Sequence, residues 1–315
     1  MSEPKKTERI EDVKRIHIRG LSDARRLMTE YEIPTLASFF AIYEATNQEL
    51  SESDVLVRMR AVLDSMRGAL REGLQHPNRT PSGMIDGGAS RMTSFLEGGG
   101  SLLGTQFSLV IRNTLAAAEN NACMGRIVAA PTAGASGVLP GAYLTIADQR
   151  AVSDERILQG LFVAGGIGEC IAIQASLSGS QHGCQAENGS ASAMTAAALT
   201  SLFSDDQDAI ESAAAFALKD VLGLVCDPVA GLVEVPCVKR NVMAAVNAVA
   251  SAEMALAGIR TVIPFDEVVQ AMDRIGREMS TSLKETSLGG LAATPTAIRI
   301  AASFKNAATK HHGKV

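Results

Sequence analysis

The sequence predicts a mostly α-helical protein, an alanine- and glycine-rich multi-helix domain with close helix packing and glycine-rich loops. Three observations carry that reading. Apolar residues recur at helical spacing over several long segments, whereas period-two alternation never lasts beyond a few residues. Aromatic residues are only 4% of the chain and tryptophan is absent, so alanine and the 28 glycines must fill much of the interior by close backbone approach. Apolar residues make up 46% and charged residues 20% of the 315 positions, enough for a large buried core and too apolar for disorder.

Taken in order, residues 1 to about 80 read as a helical, solvated segment. Within it, Asp54 to Leu74 places Val55, Val57, Met59, Val62, Leu63, Met66 and Leu70 at helical spacing, with Ser51 and Ser53 as candidate N-caps. The run HPNRTPSG, His76 to Gly83, is a strong breaker. It divides the chain into an N-terminal helical segment, 1–80, and a larger region, 81–315, that carries the loop motifs taken up below. Beyond it, helical patterns run over Ser108–Asn120, Asp154–Gly165, Ala191–Phe203, Asp208–Val221, Arg240–Gly258 and Asp266–Met279. Glycine-rich turns separate them: GMIDGG, EGGGSLLG, PTAGASGVLPG, SGSQHGCQAENGS and LGGLAATPT. Strands buried on both faces would escape notice in short apolar runs such as Arg126–Ala130.

Charge narrows the function classes. Lys and Arg total 29 against 34 for Asp and Glu, a net charge of −5 with no basic stripe, so nucleic acid is not an expected partner. The N-terminus, MSEPKKTERIEDVKRIHIRG, is charged where a signal peptide needs an apolar core. The apolar stretch Leu161–Leu177 carries Glu169 and Gln174, and Val242–Ile263 is interrupted by Glu253 and Arg260, so neither reads as a membrane span. A cytoplasmic protein with reduced thiols is the expectation.

Five cysteines are present. Cys123 and Cys170 lie on helix-like apolar stretches and read as inert core thiols. Cys184 (SGSQHGCQAENGS), Cys226 (GLVCDPVAG) and Cys237 (VEVPCVKRN) instead lie beside Gly or Pro, where irregular backbone lets a thiolate point into a cavity. With 41 residues between the first two and 10 between the last two, no compact pair exists. Three buried inert thiols, a zinc site or an iron–sulfur cluster all remain readings of that trio. Zinc normally recruits a further His or Cys within a few residues, and only His182 is near. A [4Fe–4S] cluster accepts widely separated cysteines and, with three of them, keeps one iron open.

The segments GCQAENGSASAMTAAAL, LGLVCDPVAGLVEVPCVKRN, AAPTAGASGVLPG and ETSLGGLAATPT closely resemble the α chain of the iron–sulfur-dependent L-serine dehydratases (L-serine ammonia-lyases). The resemblance spans about Gly83 to Thr296, with a looser match in the N-terminal helices. It implies a predominantly helical catalytic domain, with Cys184, Cys226 and Cys237 on the cluster-ligand positions of a [4Fe–4S] cofactor. It further implies L-serine as substrate and, because the extra N-terminal domain of single-chain members is not found here, a separate β chain as partner. A related lyase acting on threonine or cysteine, or a cluster-bearing sensor without turnover, are the competing readings.

Dehydrating serine requires loss of the Cα proton and conversion of the β-hydroxyl into a leaving group, which an open iron assists as a Lewis acid. Pyridoxal phosphate would be the alternative electron sink, but no lysine sits in a glycine-rich phosphate cradle. For the substrate carboxylate, Thr132 and Ser136 of PTAGASG offer hydroxyls beside Gly134 and Gly137, and Arg240 of CVKRN offers a bidentate guanidinium. A tight turn and a solvated helix start are the plainer readings of these two motifs. His182 is the only histidine near a motif and the sole candidate for the general base, which the sequence leaves unassigned.

Overall fold

The computed structural model describes residues 15–75 and 77–312, with side chains described as far as Phe304. The charged N-terminal stretch 1–14, His76, and the side chains of His311 and His312 lie outside the described residues. Among the described residues there are thirteen α-helices: α1 (Leu21–Glu30), α2 (Leu36–Asn47), α3 (Glu52–Gln75), α4 (Gly88–Glu97), α5 (Thr105–Ala122), α6 (Thr145–Gln149), α7 (Asp154–Gln174), α8 (Gly179–His182), α9 (Ser190–Phe203), α10 (Gln207–Lys219), α11 (Cys237–Leu256), α12 (Phe265–Glu278) and α13 (Pro295–His312). Short π-helical turns at Pro140–Leu144 and Gln185–Gly189 precede α6 and α9. Among the described residues there is no strand, only isolated bridges pairing Arg79 with Asp86 and Cys226 with Lys284. The Arg126–Ala130 run is irregular.

Helix α9 is the axis of the fold. Every residue from Ser190 to Leu202 is buried, and α7, α10 and α11 pack around it. A helix buried all round must satisfy its own hydroxyls. Thr195 and Thr200 therefore donate to the carbonyls of Ala191 and Ala196, and Ser192 donates across to Ala244 of α11 at 2.8 Å. Small residues set the spacing of the neighbours. A methyl group at Gly168 would press on Met194, and one at Gly160 would strike the Tyr143 hydroxyl.

Helix α7 runs past Gly165, where the sequence pattern stops: Gly165 faces open space, while the next residue, Gly166, seats the Phe40 ring of α2. By length and composition α7 would cross a membrane, yet 67% of its most apolar window is buried inside the fold. Helices α1 to α3 contribute Leu21, Phe39, Phe40 and Leu63 to the same apolar cluster as Leu158 and Ile167 of α7. The start of α1 is capped from a distance: Leu21 and Ser22 donate their backbone N–H groups to Asp266 of α12 at 2.9 and 3.0 Å. Of the two candidate caps of α3, Ser51 accepts from the Asp54 N–H at 3.1 Å, while Ser53 lies within the helix. Helix α11 begins at Cys237, earlier than its apolar pattern indicates, which puts that thiol in the helix's first turn.

Candidate active site

The three loop cysteines come from three different structural settings and meet in one place. Cys184 follows the one-turn helix α8 through Gly183, whose φ of +74° and close neighbours (a Cβ would lie 2.7 Å from the Leu224 carbonyl) require glycine. The fully buried Gln185 then ties this loop to its surroundings. Its backbone N–H donates to the Leu224 carbonyl (3.0 Å), its side chain accepts from the Gly223 N–H (2.8 Å) and donates to the Met272 carbonyl (3.1 Å).

Cys226 is held by the C-terminal motif. Its N–H donates to the Leu283 carbonyl at 2.8 Å and its carbonyl accepts from the Glu285 N–H at 2.7 Å. Next to it, the buried Asp227 accepts from the Leu291 N–H at 2.7 Å and pairs with Arg240 at 2.8 Å. This explains why LGGLAATPT is glycine-rich: Gly290 has φ +58°, and a Cβ there would lie 2.4 Å from the Asp227 carboxylate.

Cys237 opens α11, so the helix N-terminus favours its thiolate. One turn further, Asn241 fixes PTAGASG against it. Asn241 accepts from the Gly137 N–H (2.9 Å) and donates to the carbonyls of Gly134 (2.6 Å) and Cys237 (3.0 Å). The loop thus lies beside the start of α11, held there by an asparagine that no sequence motif singled out.

Burial pushes all three thiols up. Proximity adds to this: Cys184 and Cys237 raise Cys226, and Cys184 raises Cys237, which stands at about 12. Arg240 acts the other way on Cys184 and Cys237, favouring their thiolates. Asn188 donates from Nδ2 to the Cys184 sulfur at 2.9 Å, leaving its own Oδ1 buried and unpartnered. Three soft, anionic-when-ionised donors repelling one another in a desolvated volume are a fitting donor set for an iron–sulfur cluster, which neutralises them together. Among the described residues no three His, Cys, Asp or Glu side chains are drawn to the spacing of ligands on one ion, which a cluster giving each thiolate its own iron does not require.

A fourth acidic group faces the trio. Glu187, on the π-helical turn after Cys184, is electrostatically felt by Cys184, Cys226 and Cys237 alike, and its Oε2 lies 3.8 Å from the Cys226 sulfur. Burial pushes the Glu187 carboxyl up, Thr132 draws it back down, and Glu285 raises it further. A side chain at Gly179 would sit 2.6 Å from Oε2 and 3.0 Å from the Cys226 sulfur, so only glycine lets the start of α8 pack this closely against both.

The remaining candidates are distributed unevenly. Thr132 borders Glu187 without a well-aligned hydrogen bond, and the Ser136 hydroxyl is buried with no partner. Arg240 spends Nη1 on the Val225 carbonyl (2.8 Å) and Asp227, bracing the Cys226 loop. His182 turns toward α12: its Nε2 lies 2.8 Å from Asp273, its ring rests on Gly276, and its Nδ1 is buried without a partner. Cys170 lies near the C-terminal end of α7 and Cys123 caps α5, each influenced by carboxylates other than those near the trio.

A helical domain in which three cysteines meet beside a half-buried carboxylate is the class of protein this chain presents. The family model of the serine dehydratase alpha chain matches residues 10–292, and the chain belongs to that family. It is 45% identical over 248 residues to a probable L-serine dehydratase alpha chain of Bacillus subtilis, covering 79% of this chain and 82% of that one. With the L-serine dehydratase alpha chain of Peptoniphilus asaccharolyticus it shares 40% identity over 261 residues, 83% of this chain and 89% of the relative. The L-serine dehydratase TdcG of Escherichia coli is 44% identical over 183 residues, 56% of this chain but 40% of the relative. The family match takes in the N-terminal helices as well as the cysteine motifs.

Proposed function

We propose that this chain is the catalytic α subunit of an L-serine dehydratase, a lyase that converts L-serine to pyruvate and ammonia, and that Cys184, Cys226 and Cys237 hold its [4Fe–4S] cluster. The single observation that carries the reading is the convergence of three cysteines, from loops far apart in sequence, on one buried volume bordered by Glu187 and Thr132. When bound, the cluster supplies a Lewis-acidic iron for the departing hydroxyl.

The chain's own residues supply the rest of the setting. Arg240 and the α11 N-terminus favour the ligating thiolates, and Asn188 orients that of Cys184. The unpartnered Ser136 and Thr132 hydroxyls, on a loop clamped by Asn241, serve as donors to the substrate carboxylate. Loss of the Cα proton and of the β-hydroxyl gives aminoacrylate, whose imine tautomer hydrolyses to the two products.

The relatives' designation as alpha chains supports a separate β chain, which the reading assigns as partner. The test is anaerobic reconstitution with iron and sulfide, followed by pyruvate formation from serine, threonine and cysteine across a titration of β chain. The expected result is selective turnover of serine that rises well over tenfold with the partner, the scale of one positioned acid–base group. Full activity after prolonged chelation in air would overturn the cluster; activity already maximal without the β chain would overturn the partner.

A further inference from the structure

Helix α9 is buried from Ser190 to Leu202, but its last residue, Phe203, emerges half-exposed. There it lines a groove of about 250 Å³ between α6 and the C-terminal half of α11, floored by Leu199, Val249 and Ala252. The apolar surface continues past the groove. Leu256 lies on its edge, and the loop 257–264 presents Ile259, Val262 and Ile263 to solvent, with Val262 95% exposed. Arg260 of that loop pairs at 2.6 Å with Asp206, just after Phe203, so groove and loop share one end of the bundle. A continuous apolar surface of this kind on a folded chain marks a contact face.

The charges around the groove indicate what covers it. Arg150, which ends α6, lines one side and Glu253 of α11 lines the other. Both are exposed, and among the described residues neither side chain has an ion-pair or hydrogen-bond partner. Their neighbours at this end of the bundle are paired: Arg156 with Asp205 at 2.9 Å, and Arg260 with Asp206. One unpaired cation and one unpaired anion on opposite walls of an apolar trough form a pattern complementary to itself. Under a two-fold axis, Arg150 of each copy meets Glu253 of the other, so both charges are matched twice over. We infer that this face joins two copies of the chain into a two-fold dimer, with Phe203 and Leu256 packed across the axis and the Arg150–Glu253 pairs at the rim. The groove shares no residue with the thiol-bearing motifs, so such a dimer is independent of the serine chemistry proposed above.

The experiment is analytical ultracentrifugation of the full chain under reducing conditions, alone and with its β chain. The wild type alone should sediment as a dimer. Arg150→Glu and Glu253→Arg, both at exposed positions, should each weaken dimerisation at least about tenfold. The double exchange Arg150→Glu with Glu253→Arg restores opposite signs and should return the affinity to within about threefold of the wild type. A wild type that stays monomeric at about 50 µM chain overturns the dimer. So do single exchanges that associate as the parent does, and a double exchange no tighter than the singles. A β chain that displaces the second copy, and whose own binding Arg150→Glu abolishes, also overturns it, since the face would then belong to that chain.

Discussion

At the residue scale, the site separates groups that face the cavity from groups that hold its walls. The Ser136 hydroxyl is buried and unpartnered, and because the proposed reading makes it a donor to the substrate carboxylate, Ser136→Ala should lower kcat/KM for serine about tenfold or more, the effect of losing a hydrogen bond to a charged group, with iron content unchanged. Steady-state kinetics beside an iron assay checks it. Arg240 holds the wall. Removing its charge in Arg240→Gln leaves Asp227 buried at 3% exposure without its counter-charge, which should destabilise the protein by about 3 kcal/mol in urea unfolding. The motif around Arg240 is plain in the sequence, but its destination is not: a guanidinium one turn into a helix reads equally as substrate clamp or solvated start, and only the folded partners decide. Glu187 shows the same limit more sharply. In GCQAENGS it is one acid among small polar residues, and no spacing signals that it will lie against Cys226 and beside Thr132.

At the element scale, helix contacts are set by glycines whose roles differ within a single helix. On α3, a methyl group at Gly73 would lie 2.1 Å from the Ala116 carbonyl oxygen of α5, whereas at Gly68 it would meet only the tip of Arg71 at 4.0 Å. The two Gly→Ala changes should therefore have opposite signs. Gly68→Ala should stabilise by up to about 1 kcal/mol through helix propensity, and Gly73→Ala should destabilise by about 2 kcal/mol through the forced separation of α3 and α5. Urea midpoints of both variants against the parent test this. The apolar periodicity announces α3 well, over Asp54–Leu74 in sequence and Glu52–Gln75 in the fold. Which of its two glycines is pressed against a neighbour is a property of the crossing, invisible in the helix's own pattern.

At the scale of the whole molecule, ion pairs tie the N-terminal helices to the rest of the fold. Arg67 of α3 donates to Asp154 at 2.6 and 3.0 Å, at the start of α7, and this pairing holds the Asp154 carboxyl below the usual carboxylate range. A lowered carboxyl contributes stability that is present above its unfolded pKa of about 3.9 and is lost as pH falls through the folded value. Because Asp154 is 40% exposed and screened, Asp154→Asn should lose only about 1 kcal/mol at neutral pH, and the gap between variant and parent should close below about pH 4. Glu119 behaves oppositely: burial raises it, so its contribution improves as pH falls through its folded pKa. Thermal unfolding of parent and variant from pH 3 to 8 measures both trends.

The sequence by itself determined the helical class, the positions of the long helices and the singling out of Cys184, Cys226 and Cys237. All three follow from local physics: periodicity, small-residue composition and the backbone irregularity of Gly and Pro. It also marked Thr132–Gly137 as a loop able to offer hydroxyls and N–H groups. Only the tertiary structure decided how α7 continues through its glycines, because Phe40 and Met194 must arrive from elsewhere to fill them. The same holds for His182, turned onto Asp273 of α12, for Asn241 as the clamp of the Thr132 loop, and for Glu187, placed against the Cys226 thiol. Burial and pairing depend on partners far away along the chain, and a side chain's chemistry is fixed only when those partners are in place.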